Sequence, residues 1–307
     1  MEYNITQSLM TNNPRYKIQT KRNKHAYMQH STGAPGVKAK DLINRWNRNS
    51  AQAEVEFIID ETGIYQIMPI GIKTWHCGGS ANNTHVGCEI CEPENARFID
   101  VNWLVLSYGG KNNTKYAVTM LQKELNAWGY KVDIDGSFGP ATKSVVVAFQ
   151  KGNGLKQDGS VGLATLHALQ KRQDSFMSYN VKENQAYFED VYRKAIFTCA
   201  YVLNRLWVKN VDKNTIVSHA EGYKLGIASN HADIGHFAIL HGKTMDDFRK
   251  DVKIYFDEGK LPYEQLSDDD LAWNIGCRKG IFQSANKNKA VTQCQLASIL
   301  YNIGVIE

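Results

Sequence analysis

The stretch "IVSHAEGYKLGIASNHADIGHF", residues 216–237, carries His219, His231, Asp233 and His236 within eighteen positions. Imidazoles and carboxylates can ligate a metal or move a proton, and His231 and Asp233 stand on either side of a single alanine. Three readings are open for such a stretch: a metal site, an acid–base site, or a polar loop rich in histidine. A catalytic zinc is usually held by three protein ligands, and these residues offer no obvious third among themselves. A distant segment, "KHAYMQHSTGAPG", offers one. Tyr27 to His30 alternates like a strand and is followed by a polar, glycine-containing loop, so His30 falls at a strand end, a usual place for a functional side chain. The plain alternatives are a capped strand end for His219 and a helix N-cap for Asp233, ahead of "IGHFAIL".

These residues need elements to position them. Residues 54–69, "EVEFIIDETGIYQIMP", predict a β-hairpin turning at "DETG". Residues 40–47, "KDLINRWN", predict a short amphipathic helix, and the apolar spacing over residues 184–207 predicts a helix of about six turns. "TIVSH" then runs as a short strand into His219. "HVGCEIC" also reads as a strand, so alternation sends Cys88 and Cys91 to opposite faces and argues against a functional thiol pair. The six cysteines are scattered, and reduced thiols are expected.

Residues 115–170 differ in texture and contain an internal repeat, "LQKELNAWGYKVDIDGSFGPAT" and "FQKGNGLKQDGSVGLAT". Each half has an apolar–Gln pair, an Asp-Gly turn in which Gly takes positive φ, a further Gly and a Thr. With helices at "ATKSVVVAFQ" and "LATLHALQ", this reads as a three-helix unit of about 60 residues, within the size that folds alone. The last stretch, from "LPYEQLSDDDLAW" to "VTQCQLASILYNIGVIE", reads as two N-capped helices around a polar loop. It distantly resembles one S-layer homology repeat, and a plain structural cap is the expectation.

The chain of 307 residues, 43% hydrophobic and 22% charged, is an ordinary globular composition with room for two or three domains. A net charge of +5 without interleaved basic and aromatic stretches gives no nucleic-acid partner. No apolar run reaches the length of a membrane span. The N-terminus lacks the apolar core of a signal peptide, so synthesis in the cytoplasm is expected. The oligomeric state is not legible.

The repeat segment resembles the peptidoglycan-binding domain family of cell-wall hydrolases, through Leu121-Gln122, Gly129-Tyr130, Asp135-Gly136 with Phe138-Gly139, Phe149-Gln150, Asp158-Gly159 with Val161-Gly162, and the threonines that follow. "MQHSTGAPG", "WHCGGSANNTHVGCEICEP" and "SHAEGYKLGIASNHAD" together with "MDDFRKDV" resemble the zinc-dependent N-acetylmuramoyl-L-alanine amidases, which include phage endolysins, bacterial autolysins and animal peptidoglycan recognition proteins. The resemblance implies an α/β amidase domain, a mixed central sheet with flanking helices, over residues 1–100 and 177–255. An all-α three-helix peptidoglycan-binding domain over 101–176 interrupts it, and a small helical region over 256–307 follows. It implies Zn2+ on His30, His219 and Asp233, a proton carrier at Glu89, and an oxyanion donor at His231. Substrate contacts are implied at His76, Asn83 and Thr84, and the implied partner is bacterial peptidoglycan. His85 is read as groove-lining or structural, and His236 and His241 as surface or packing residues. Where the family often has Tyr or His near the zinc, this chain has Val55 or Glu56. The implied setting is a phage endolysin released through a holin, with a bacterial autolysin second. The competing class is a recognition protein that holds peptidoglycan without cutting it, and a muramidase would instead need a positioned carboxylate pair.

Overall fold

The computed structural model describes residues 3–99, 105–231 and 233–259. The helical tail expected over residues 256–307 therefore lies, from residue 260 on, outside the described residues, as do Cys277 and Cys294.

Six strands form one sheet: β1 (Ile5–Gln7), β2 (Ala26–Ser31), β3 (Phe57–Asp60), β4 (Gly63–Gln66), β5 (His85–Ile90) and β6 (Ile216–Ser218), in the order β1-β4-β3-β5-β2-β6. β3, β5, β2 and β6 run parallel to one another, while β4 folds back antiparallel on β3 and carries β1 parallel at the edge. The sheet is thus mixed, and the hairpin turns within "DETG" as the alternation predicts. Helices α1 (Pro14–Ile18), α2 (Ala39–Trp46), α3 (Lys115–Ala127), α4 (Pro140–Gly152), α5 (Leu163–Leu169), α6 (Val181–Arg205), α7 (His219–Lys224), α8 (Gly235–Ala238) and α9 (Met245–Glu258) complete the described elements besides three short 3-10 turns.

Side chains alternate across the sheet with period two. Tyr27, Phe57, Ile59, Val86, Cys88, Ile90 and Ile216 face α6, whose Phe188, Val191, Tyr192, Ala195, Cys199 and Leu203 recur at helical spacing and are buried. α9 packs beside α6 through Phe248 and Val252. Each fully buried side chain of the Val, Leu or Phe class contributes roughly 1.5–3 kcal/mol, so this face anchors the strands. On the opposite face Ile58 and Cys91 meet Leu42 of α2, and Met28 and Val217 meet Cys77 and Ala81. Cys88 and Cys91 accordingly lie in different cores, both as free thiols. Burial pushes both up, Cys88 and Cys91 each well above the ordinary thiol range, so neither is a nucleophile at neutral pH.

A separate core joins Phe98, Leu106, Val118, Leu121, Leu125, Val146, Phe149, Leu166, Leu169 and Met177. The repeat is legible there as chemistry. Gln122 Oε1 accepts from Gly136 N at 2.8 Å, and its amide nitrogen donates to Asp135 Oδ1 at 2.7 Å and reaches Thr142. Gln150 does the same with Gly159 N, Asp158 and Thr165. Gly136 and Gly159 sit at φ of 72° and 69°, the left-handed conformation that the turns require.

Candidate metal centre

The parallel strands β2, β5 and β6 end on one rim, where open α/β sheets place their ligand sites. Register puts His30 of β2 directly beside Glu89 of β5, and Gln29 beside Ser218 of β6. His30 and Glu89 share the face away from α6. Ser218 ends β6 and caps α7: its Oγ accepts from Glu221 N at 3.1 Å while the Glu221 carboxylate accepts from Ser218 N at 2.9 Å. The strand therefore turns into a helix at His219, which holds that imidazole at the rim beside His30. Arg249 of α9 fastens the cap, donating from both terminal nitrogens to Glu221 at 2.8 and 2.9 Å and to the Ile216 carbonyl at 3.0 Å.

Asp233 comes from the loop before α8. The cap position of α8 is Ile234, without a side-chain cap, so the Asp233 carboxylate is directed at the histidines and not at a helix end. Its Oδ2 lies 3.1 Å from His30 Nδ1 and its Oδ1 3.4 Å from His219 Nδ1. The His30 and His219 rings meet edge to face at 4.9 Å. One ligand atom from each of His30, His219 and Asp233 lies within 4.8 Å of the other two, and both histidines are buried, at 1% and 4% exposure. Asp233 Oδ1 and Glu89 Oε2 are buried with no hydrogen-bond partner among the described residues. Unpaired buried polar atoms are costly, and two imidazoles, a carboxylate and orphaned oxygens together form a donor set that suits a divalent cation such as zinc.

The electrostatics agree with that arrangement. Burial lowers His30 below the ordinary imidazole value, opposed by Asp233, which favours the neutral form that ligates, and it lowers His76 much further. Burial pushes Asp233 up, but the adjoining His219 and His30 outweigh it and hold it far below the carboxylate range. Glu89 is raised well above the usual value, by burial first and then by the charges of Asp233 and Glu92.

The cleft around these groups encloses about 580 Å³ and is lined by His30, Trp75, His76, Glu89, Glu92, His219, Ser229, His231, Asp233 and His236, among others. His231 is exposed and stacks on His219 at 4.6 Å. His76 lines the cleft, with its Nδ1 against His30 Nε2 at 2.9 Å. Asn83 and Thr84 do not line it. They precede β5 and so lie at the opposite end of the parallel strands, where Asn83 Oδ1 accepts from Arg22 at 2.9 Å and Thr84 Oγ1 pairs with His85 at 2.9 Å. His85 is buried and off the cleft, lowered by that burial to about 4. Neither Val55 nor Glu56 lines the cleft: Val55 belongs to an apolar core, and buried Glu56 is occupied by Lys24, Thr74 and Gly87 N.

His236, expected as a surface or packing residue, instead lines the cleft and pairs with buried Glu92 at 3.0 Å. Its place near Asp233 on a turn was the available signal. Glu92, held by Ser31 Oγ at 2.6 Å, and Ser229 were missed, and nothing in their residue types marked them. His241 is a packing residue, stacked on Phe188 at 4.2 Å.

Residues 114–169 match the family model described as "Putative peptidoglycan binding domain". Over 88 residues the chain is 34% identical to the N-acetylmuramoyl-L-alanine amidase XlyA of Bacillus subtilis (strain 168), a stretch that is 26% of this chain and 27% of that protein. Over 46 residues it is 48% identical to the zinc D-Ala-D-Ala carboxypeptidase of Streptomyces albus G, covering 15% of this chain and 18% of that one. The chain thus spans about a quarter of the first curated relative and under a fifth of the second. Among solved structures, the Staphylococcus aureus hydrolase AmiA in complex with its ligand aligns over 85% of this chain and 89% of that chain, with a TM-score of 0.47 and 13% identity. The resemblance to an amidase carrying a peptidoglycan-binding domain, read from the motifs, is borne out by the domain match and the amidase relative. No helix among the described residues is long and apolar enough to cross a membrane.

Proposed function

We propose that this chain hydrolyses the amide between the lactyl group of N-acetylmuramic acid and L-alanine in bacterial peptidoglycan, with zinc held by His30, His219 and Asp233. The observation that carries this reading is the convergence of those three ligand atoms within 4.8 Å, next to a buried and unpartnered Glu89 oxygen in an open cleft. Bound there, zinc supplies Lewis-acid polarisation of the amide and activation of water. Glu89 takes the proton of the attacking water at Oε2 and delivers it to the leaving nitrogen of L-alanine. His231, at the cleft surface, donates a hydrogen bond to the oxyanion of the tetrahedral intermediate. Residues 1–100 and 177–255 form the catalytic domain in this reading. Residues 101–176 hold the wall polymer, which fits the family match at 114–169.

The test uses purified cell wall and the full chain. The expected products are new L-alanine amino termini with no new reducing sugar ends, and activity that ceases on chelation and returns with zinc. His30→Ala, His219→Ala or Asp233→Ala should each abolish both zinc binding and lysis, because two remaining ligands hold the metal too weakly. Reducing ends without new amino termini, or undiminished lysis after chelation, overturns the proposal.

A further inference from the structure

Both histidines that face Asp233 are held from behind, and the hydrogen bonds behind them dictate where their protons sit. His76 Nε2 lies 3.3 Å from the backbone carbonyl of His85, which can only accept, so the His76 proton is on Nε2. Its Nδ1 is then a lone pair, 2.9 Å from His30 Nε2, which must donate. A neutral imidazole has one N–H. His30 Nδ1 is therefore a bare lone pair where it meets Asp233 Oδ2 at 3.1 Å. The second chain runs through Ser229. Its hydroxyl donates to the Cys77 carbonyl at 3.0 Å, so the same oxygen accepts from His219 Nε2 at 3.3 Å. That leaves His219 Nδ1 bare as well, facing Asp233 Oδ1, so neither oxygen of Asp233 receives a proton from these rings.

The surrounding backbone makes room for both chains. A Cβ on Gly87 of β5 would come within 2.8 Å of the His76 ring, and one on Gly78, at φ of 63°, would come within 2.8 Å of Ser229 Oγ. One short segment, Trp75–Gly79, thus supplies His76, the carbonyl that orients Ser229 and the clearance for Ser229, while Gly87 of β5 clears the His76 ring.

We propose that His76 and Ser229 are positioning residues that lock His30 and His219 in the Nε2–H tautomer, aiming both Nδ1 lone pairs and the Asp233 carboxylate at one cation. This rests on the zinc reading above and gives His76 a role other than the substrate contact expected from sequence. Outer hydrogen-bond partners of metal-bound histidines characteristically set tautomer and basicity.

The direct test is nitrogen-15 NMR of the histidine-labelled full chain, which reports which ring nitrogen carries the proton. The expected result is Nε2–H on His30 and His219 in both metal-free and zinc-loaded protein. Zinc affinity, measured by competition with a chromophoric chelator, provides the second readout. His76→Leu and Ser229→Ala, which remove the acceptor, should weaken zinc by about 10- to 100-fold. His76→Gln and Ser229→Thr, which can restore it, should recover most of that loss. Nδ1–H on either ligand in the zinc-loaded wild type, or unchanged affinity in folded Leu and Ala variants, overturns the positioning roles alone. Failure of the wild type to bind zinc at all overturns the metal reading on which they rest. If a variant does not fold, the wild-type spectrum still decides.

Discussion

Glu89 and Asp233 share a cleft, yet their surroundings push them in opposite directions. Asp233 is held below the ordinary carboxylate range, while burial and the charges of Asp233 and Glu92 raise Glu89 above it, which makes its carboxylate the stronger base. Paired groups separated in this way divide the work of ligand and proton carrier. Glu89→Gln should keep zinc and wall binding but lose about 10²- to 10⁴-fold in turnover, the usual range for a general acid–base group. Its thermal midpoint should not fall, because a buried carboxylate oxygen with no partner, near two like charges, is replaced by a neutral amide. Wild-type turnover would remove Glu89 from the mechanism, and Glu92, the other buried carboxylate in the cleft, would be tested next. That His30, His219, Asp233 and Glu89 come to one cleft was legible, because each sits in a quotable motif at a strand end or on a short loop. Ser229, Glu92 and His236 were not, since their roles come from partners 152, 61 and 144 positions away in Cys77, Ser31 and again Glu92. Asn83 and Thr84, implied as substrate contacts by the resemblance, precede β5, so strand direction carries them to the end of the sheet away from the cleft.

Among the elements, the β6–α7 junction is the one on which His219 depends. The strand was legible in "TIVSH" and its cap in the spacing of Ser218 and Glu221. The clamp from Arg249 was not, because it joins residues 28 positions apart and needs α9 docked beside α7. Cys88 and Cys91 were legible as a non-pair because alternation alone separates them. Arg249 is 6% exposed and Glu221 part-buried, so Arg249→Met should cost about 2 kcal/mol, between an exposed ion pair and a fully buried one. Denaturant melts at neutral pH would measure it. The pH dependence has a definite sign. Burial pushes Glu221 up, but hydrogen bonds from Arg249 and Ser218 overcome it and hold the folded value below the ordinary 4.5. A depressed carboxylate contributes stability that is present above its unfolded value and lost as pH falls through the folded one. The wild type should therefore lose stability on acidification below about pH 4.3, and Arg249→Met should lose less over that interval. Parallel losses in the two proteins would show that the clamp does not hold Glu221 in solution.

For the whole molecule, the question is whether the residues between β5 and α6 are a separable module. The chain passes from one core to the other over adjacent residues: Phe98 packs with the core of α3, α4 and α5, while Ile99 packs with the sheet and α6. It returns as abruptly, with Met177 in the core of α3, α4 and α5 and Tyr179 against Phe237 and His241 beside the sheet. Entry and exit points this tight are what an inserted domain requires. They also show that boundaries drawn at 101 and 176 would strand Phe98 and Met177 as exposed apolar side chains, so a clean excision has to deal with both. Replacing residues 106–177 with a short Gly/Ser linker, together with Phe98→Ser, should leave a folded protein that takes up zinc. Binding to intact wall should fall by about 10²-fold or more, because a second site on the same polymer raises avidity through effective concentration. Cleavage of a small soluble muramyl peptide needs only the cleft formed by His30, Glu89, His219 and Asp233, and should change by less than about twofold if the cleft is undisturbed. Both activities are read on one preparation, with zinc content as the control for folding. Loss of wall binding with retained peptide cleavage is the modular outcome. Equal loss of both, with zinc still bound, would mean that the insert shapes the catalytic cleft and that the two cores work as one unit.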